Sequence, residues 1–148
     1  MFEVITRDVW QAEVTFDEQP LERPAGHVFY TLTDCSPCFG VDQCAATLRA
    51  LQRRYVMIKQ MIDIPYNFMI GGDGRVYEGR GWGIAPDLPK RIQNFEDNAF
   101  NLLFMMNNIG EPVPRAMLEI KDEIIKYGIQ HDLIVRLPKL HKPIRQVL

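Results

Sequence analysis

Residues 64–82 decide the fold of this 148-residue chain; they read Ile-Pro-Tyr-Asn-Phe-Met-Ile-Gly-Gly-Asp-Gly-Arg-Val-Tyr-Glu-Gly-Arg-Gly-Trp. The segment predicts a strand over 66–70, a glycine-rich reversal and a second strand over 75–78. Asp73 and Gly74 supply the turn, because glycine readily adopts the positive φ that a tight hairpin requires. The sequence therefore predicts a β-hairpin here.

The size and charge of the chain exclude several classes of protein. A length of 148 residues predicts one domain over 1–148 with a core of its own. The formal charge of −2, without basic stripes, argues against a nucleic-acid partner. No apolar run approaches the roughly 20 residues of a membrane span. The start lacks the basic and apolar regions of a signal peptide, so we expect either a cytosolic protein or a domain taken from a longer one.

Strand and helix patterns alternate along the rest of the chain. Steps of three and four between apolar residues predict helices over 41–58 and 113–127, the second ended by Gly128 as a glycine cap. Pro86 and Pro89 predict an irregular segment over 83–97. Further strands are predicted over 28–33, 99–106 and 133–137. This alternation predicts an α/β layered fold.

Three cysteines lie within ten residues, at Cys35, Cys38 and Cys44. The odd number leaves at least one thiol outside any disulfide within the chain. Cys35 and Cys38 have the spacing of a redox or zinc motif, but no second such pair or histidine pair follows at metal spacing. The residues alone leave the pairing open.

The segment 64–82 resembles, almost residue for residue, the signature of the peptidoglycan recognition proteins, relatives of zinc-dependent phage and bacterial amidases. The resemblance is weaker after residue 84. It implies a central mixed β-sheet flanked by helices, as in type 2 amidases. It also implies a structural disulfide between Cys38 and Cys44, with a Cys35 pairing as the alternative, and hence an extracellular setting or a receptor ectodomain.

The resemblance further implies that the amidase zinc site is degenerate. Active members cleave the bond between the muramoyl lactyl group and L-alanine, with zinc held by a strand histidine, a late histidine and a cysteine about eight residues beyond. Counting back from Cys38 places Thr31 at the first ligand. His141 falls near the second, and the third would lie beyond Leu148. We therefore expect no cofactor and no amidase activity.

Other residues do not replace the missing ligands. His27 lies roughly 13 Å along the strand from Thr31, too far to share a metal, and is expected to be partly solvated. His131 is expected on the surface. Tyr66 matches a tyrosine that helps polarise the reacting centre in the family, but without zinc it is not evidence of catalysis and is better explained as a core or groove aromatic.

The resemblance also suggests an altered peptidoglycan groove. Leu88 stands where the family has a histidine, and Phe100 stands near a family glycine, where its ring is expected to fill the cleft. The candidate ligand-binding positions are Tyr66, Trp82, Gly83 and Ile84.

Three functions follow from these residues. The first is a non-catalytic, receptor-type regulator that acts through protein contacts, with other peptidoglycan recognition proteins as candidate partners. The second is a pattern-recognition receptor ectodomain that still binds peptidoglycan fragments. The third is an amidase with a different ligand set, which requires stoichiometric zinc.

Overall fold

The structure is a computed structural model that describes residues 2–16, 18–36, 38–106 and 110–146. Its elements, in chain order, are β1 (Val4–Ile5), α1 (Arg7–Trp10), β2 (Ala25–Asp34), α2 (Val41–Met57), β3 (Phe68–Ile70), β4 (Val76–Glu78), a 3₁₀ helix (Lys90–Asn98), β5 (Ala99–Met106), α3 (Arg115–Gln130), β6 (Ile134–Leu140) and β7 (Ile144–Gln146).

The strands of the described residues form one mixed sheet. Six of them follow the order β1-β4-β3-β5-β2-β6, and β7 also pairs with β2. The longest pairing is parallel, between β2 and β5, from His27 opposite Ala99 to Asp34 opposite Met106. β3 and β4 are antiparallel. This arrangement confirms the α/β prediction of a central mixed sheet flanked by helices.

The predicted hairpin is present, with strands shorter than expected. Gly74 has a φ of 78°, and the Asp73 carboxylate accepts hydrogen bonds from the Arg75 backbone at 3.1 Å and from the Tyr77 hydroxyl at 2.6 Å. Asn67 lies just outside β3. Its side-chain amide donates to the carbonyl oxygens of Gly81 and Ile84, so the hairpin end is tied to the following loop.

The two long helices lie where the apolar periodicity predicts them, but the end of α3 differs. Gly128 lies inside this helix, so its prediction as a cap is wrong. A Cβ atom at this position would lie 2.5 Å from the Ile134 side chain and 3.1 Å from Trp82. A side chain at this position would therefore disturb the close packing of α3 on the sheet.

Two further segments differ from expectation. The predicted irregular segment contains the 3₁₀ helix, which begins directly after Pro89. Proline is tolerated there because the first backbone N–H groups of a helix need no partner within it. β7 has no counterpart among the predicted strands, and β6 extends three residues beyond the predicted end.

The sheet separates the two largest apolar clusters, and we name its faces after the helices that cover them. On β5, Phe100, Leu102 and Phe104 point to the α3 face. Leu103 and Met105 point to the α2 face, as the alternation of a strand requires. Across the described ranges, none of the helices combines the length and the hydrophobicity that a membrane-spanning helix requires.

Candidate functional site

A disulfide fixes the start of α2. Cys38 and Cys44 are joined with a Cα–Cα distance of 4.8 Å, so the pairing implied by the family resemblance is the one in the structure. Cys35 is outside this bond, and its Sγ lies 3.5 Å from the Met106 carbonyl oxygen. The alternative pairing through Cys35 is therefore not the one observed.

A small cavity lies on the α2 face, above the centre of the sheet. Thr31 on β2 and Asn101 on β5 form part of its floor, and the Thr31 hydroxyl donates to the Asn101 side-chain oxygen at 2.8 Å. The volume of the cavity is about 60 Å³. The other lining residues are Tyr55, Met61, Pro65, Asp87, Leu88, Pro89 and Gln146.

Thr31, Asn101 and neighbouring polar groups around this cavity make hydrogen bonds within the protein. The Asn101 backbone N–H donates to the Asn67 side chain at 2.8 Å, and the Asn101 amide lies 3.4 Å from the Asp87 carbonyl. The Thr33 hydroxyl donates to the Gln146 carbonyl at 2.8 Å. These groups therefore hold the strands and the 83–89 loop together. An asparagine inside the apolar run 99–106 was the sequence signal for this network, and sequence analysis missed it.

Tyr66 contacts Tyr55, which is one of the residues that line the cavity. Tyr66 is fully buried, and its hydroxyl oxygen is 2.5 Å from that of Tyr55. Burial, followed by the proximity of Tyr55, raises the pKa of Tyr66 well above its ordinary value, and burial also raises the pKa of Tyr55. Both phenols are thus neutral hydrogen-bonding groups of the core.

Trp82 lies on the opposite side of the sheet. Its ring packs 4.8 Å from that of Phe68, 5.0 Å from Phe100 and 5.7 Å from Tyr127 of α3, measured between ring centroids. The structure therefore does not bring Tyr66 and Trp82 together. The prediction that Phe100 fills the cleft is wrong, because this ring points to the α3 face and Asn101 is the cavity residue.

The other two candidate ligand-binding positions serve the loop after the hairpin. Gly83 is exposed, and its carbonyl accepts a hydrogen bond from the Leu21 backbone at 3.0 Å. Ile84 is half-buried, and its carbonyl accepts from Asn67 at 2.8 Å. Leu88 is buried and lines the cavity.

His141 is paired with His27 near the end of the sheet. The two ring nitrogens lie 3.0 Å apart, and His141 stacks on Phe29 at 3.9 Å between centroids. Burial, together with the charges of His27 and Lys139, lowers the pKa of His141. His27 is half-buried as expected, although its contact with His141 was not predicted. His131 is exposed, also as expected.

Thr31 and His141 do not form one metal site. The His141 backbone donates to the Val28 carbonyl at 3.1 Å, whereas Thr31 pairs with Ile144 of β7. Zinc takes thiolate, imidazole or carboxylate ligands, and the hydroxyl of Thr31 and the amide of Asn101 are none of these. Over the described ranges, no group of three or more His, Cys, Asp or Glu residues is placed to hold a metal ion. The residues at this place do not fit the zinc ion that the family implies.

Curated relatives share the sequence pattern. The chain is 33% identical to human peptidoglycan recognition protein 3 over 130 residues, which are 86% of this chain and 36% of that protein. It is 30% identical to mouse N-acetylmuramoyl-L-alanine amidase over 118 residues, 78% of this chain and 22% of that protein. The chain spans less than two fifths of the first curated relatives, at 39% and 36% of their length. No protein-family model matches.

Solved structures share the fold. The ectodomain of the Drosophila transmembrane receptor PGRP-LCa superposes with a TM-score of 0.87 at 26% identity, over 93% of this chain and 83% of that one. Human PGRP-IBETAC in complex with glycosamyl muramyl pentapeptide superposes with a TM-score of 0.83 at 28% identity, over 93% of this chain and 81% of that one.

Proposed function

The chain belongs to the peptidoglycan recognition protein family, and from this premise we propose that it is a non-catalytic domain that regulates innate immune signalling through protein contacts. We propose further that residues 1–148 act as one domain, in an extracellular setting or as a receptor ectodomain. The Cys38–Cys44 disulfide supports that setting, because such bonds persist in oxidising compartments.

The observation that carries this proposal is the cavity beside Thr31. Its volume is about 60 Å³, whereas pockets for small ligands usually measure roughly 300–1,000 Å³. Leu88 and Pro89 of the 83–89 loop and Gln146 of β7 are among the residues that line it. A muropeptide is larger than this cavity, so lining residues would have to move for it to bind there. Binding of another protein to the surface of the domain would not require the cavity residues to move.

The side chains at the expected zinc position support the proposal that the domain is non-catalytic. A catalytic zinc ion generates the attacking hydroxide and polarises the carbonyl, so an amidase of this type depends on its ligands. Thr31 and Asn101 use their side chains to bond each other at 2.8 Å. Tyr66 is engaged with Tyr55. We therefore propose that the zinc site of the family is degenerate in this chain.

A second candidate function is a receptor ectodomain that binds muropeptides. The observation in its favour is the similarity to human PGRP-IBETAC, which was solved with a glycosamyl muramyl pentapeptide. Candidate contacts in that case are Gly83 and Ile84 on the loop surface, since Tyr66 is buried. Saturable binding of a soluble muropeptide would favour this second function.

Native mass spectrometry with cross-linking tests the first function. The purified domain is mixed with other peptidoglycan recognition proteins of the same organism, without muropeptide, and with a secreted protein of similar size as the control. We expect a specific complex with at least one family member and none with the control. The absence of any complex across the set would contradict regulation through these partners.

A further inference from the structure

The C-terminal end of α2 and the turn after it carry exposed apolar side chains beside cations. We call this surface the basic apolar tip and define it as Arg53, Arg54, Met57, Ile58, Lys59 and Ile62. Met57 is 72% exposed, Ile58 is 69% exposed and Ile62 is 44% exposed. The arginines and the lysine are also exposed.

The backbone folds these residues into one surface. The N–H groups of Ile58 and Lys59 both donate to the Arg54 carbonyl, at 3.0 and 3.3 Å. Gln60 has a φ of 57°, which reverses the chain, and the Met61 N–H then donates to the Tyr55 carbonyl at 3.0 Å. This hydrogen bond holds Met61 against the last turns of α2, and Ile62 is the next residue.

The sequence segment that contains the tip carries charges of one sign. Residues 43–62 contain four cations and no Asp or Glu, in a chain whose formal net charge is −2. Cations near a helix C-terminus are favoured by the helix dipole, which accounts for part of their placement. The dipole does not account for exposed Met57 and Ile58. Apolar side chains that project among cations are typical of protein surfaces that lie in an anionic membrane interface.

We propose that the basic apolar tip docks on an anionic lipid bilayer. Met57, Ile58 and Ile62 would enter the boundary between headgroups and acyl chains, while Arg53 and Lys59 would lie among the anionic headgroups. The positive charge selects an anionic surface. The projecting aliphatic side chains favour a planar lipid interface over an acidic protein. This inference is independent of the proposed function, because it uses no residue of the cavity floor.

Vesicle co-sedimentation tests the proposal. The domain is mixed with phosphatidylcholine vesicles containing phosphatidylserine, and separately with phosphatidylcholine alone. We expect binding to the anionic vesicles, weakened by added salt, and none to the neutral ones. Arg53→Gln/Lys59→Gln should lower the partition coefficient about 30-fold, because the two cations contribute about equally to the attraction between the domain and the anionic membrane surface. Met57→Ser/Ile58→Ser should lower it about tenfold or more.

Matched variants control for loss of charge or apolar surface elsewhere. Lys90→Gln/Arg91→Gln removes two exposed cations from the 3₁₀ helix, and Leu137→Ser removes a side chain that is 92% exposed. Both control variants should bind anionic vesicles as the wild type does. The thermal unfolding of all variants should match that of the wild type. The proposal is overturned if anionic vesicles do not bind at low salt, or if the tip variants bind like the wild type. Binding of polyglutamate without vesicle binding would also overturn it and assign the tip to an acidic protein.

Discussion

The two faces of the central sheet bury different chemistry. The α3 face is a continuous apolar core, in which Trp82, Phe100 and Tyr127 pack ring against ring. The α2 face buries hydroxyls, amides and a carboxylate among its apolar residues. The buried polar residues of the described chain all lie on this side or next to it, and they are Thr31, Thr33, Gln52, Asp63, Asn67 and Asn101.

The difference concerns the face that carries Thr31, where we propose a degenerate zinc site. The polar groups Thr31, Thr33 and Asn101 on this face make hydrogen bonds within the protein. The α3 face shows the opposite condition at Tyr30, whose buried hydroxyl has no hydrogen-bond partner in the described chain. Removing a partner from a satisfied buried pair is costly, whereas removing an unsatisfied group is not. Substitutions on the two faces should therefore behave differently.

The largest effect is expected at Asp63, beside the α2 face. Its carboxylate accepts from Arg7 at 2.8 Å, from Gln52 at 3.0 Å and from the Ile64 backbone at 2.7 Å. Asp63→Ala should lower the free energy of unfolding by about 3–5 kcal/mol, because it leaves a partly buried arginine without its ion pair. Denaturation in urea measures this. Asp8→Ala, at an exposed position, is the control and should change stability by less than about 1 kcal/mol.

On the α3 face, overpacking should be the sensitive change. Gly128→Ala places a methyl group against Ile134 and Trp82, where a Cβ atom would lie 2.5 Å from the nearest side-chain atom. We expect a loss of about 1–3 kcal/mol in unfolding free energy. Replacement of Ile134 by Val in the same background should recover part of it. An unchanged or raised stability of Gly128→Ala would contradict the close packing that we assign to this glycine.

Two tyrosine substitutions compare the faces directly. Tyr66→Phe removes a hydroxyl bonded to Tyr55 and should cost about 1–2 kcal/mol. Tyr30→Phe removes an unsatisfied hydroxyl, the burial of which raises the pKa of Tyr30 to about 12, and should be neutral or stabilising. Equilibrium unfolding of both variants and the wild type measures the change in the free energy of unfolding at each position. Equal losses at the two positions would show that the faces do not differ in this way.

The smallest effect is a pH dependence at the His27–His141 pair. The pKa of His141 is lowered in the folded state, mainly by burial, so the unfolded chain binds this proton more tightly. The contribution of His141 to the free energy of unfolding should therefore be fully present above about pH 6.5. It should fall as the pH drops below that value. His141→Phe keeps a ring against Phe29 and should reduce this dependence in urea denaturation series. His131→Phe, an exposed control, should leave the dependence at its wild-type size.

Sequence reasoning located the elements better than it located the site. β5 was predicted with the bounds that it has, because an eight-residue apolar run between polar residues has one plausible assignment. α2 was predicted equally well from its spacing. β7 was missed, since three residues with one buried side chain carry no periodic signal.

The failure at the site has a physical cause. In a strand, an error of one residue in the register moves a side chain to the other face. Such an error puts Phe100 at the cleft in the sequence prediction, whereas Asn101 is the cavity residue in the structure. Trp82 comes directly after a turn at Gly81, which has a φ of 72°. No pattern in the sequence indicates to which face of the sheet the Trp82 ring points. The Tyr55–Tyr66 contact joins a helix to a loop, and it too leaves no local signal.

The most direct test of the central claim, that the α2 face no longer accepts the family's ligand, is calorimetric titration with soluble monomeric muropeptides. Both diaminopimelate- and lysine-type peptides are titrated into the folded domain. Human PGRP-IBETAC, solved with a glycosamyl muramyl pentapeptide, serves as the positive control. We predict no saturable heat with either type, in keeping with the small cavity beside Thr31. Saturable binding of either one would contradict this account and make the chain a muropeptide receptor.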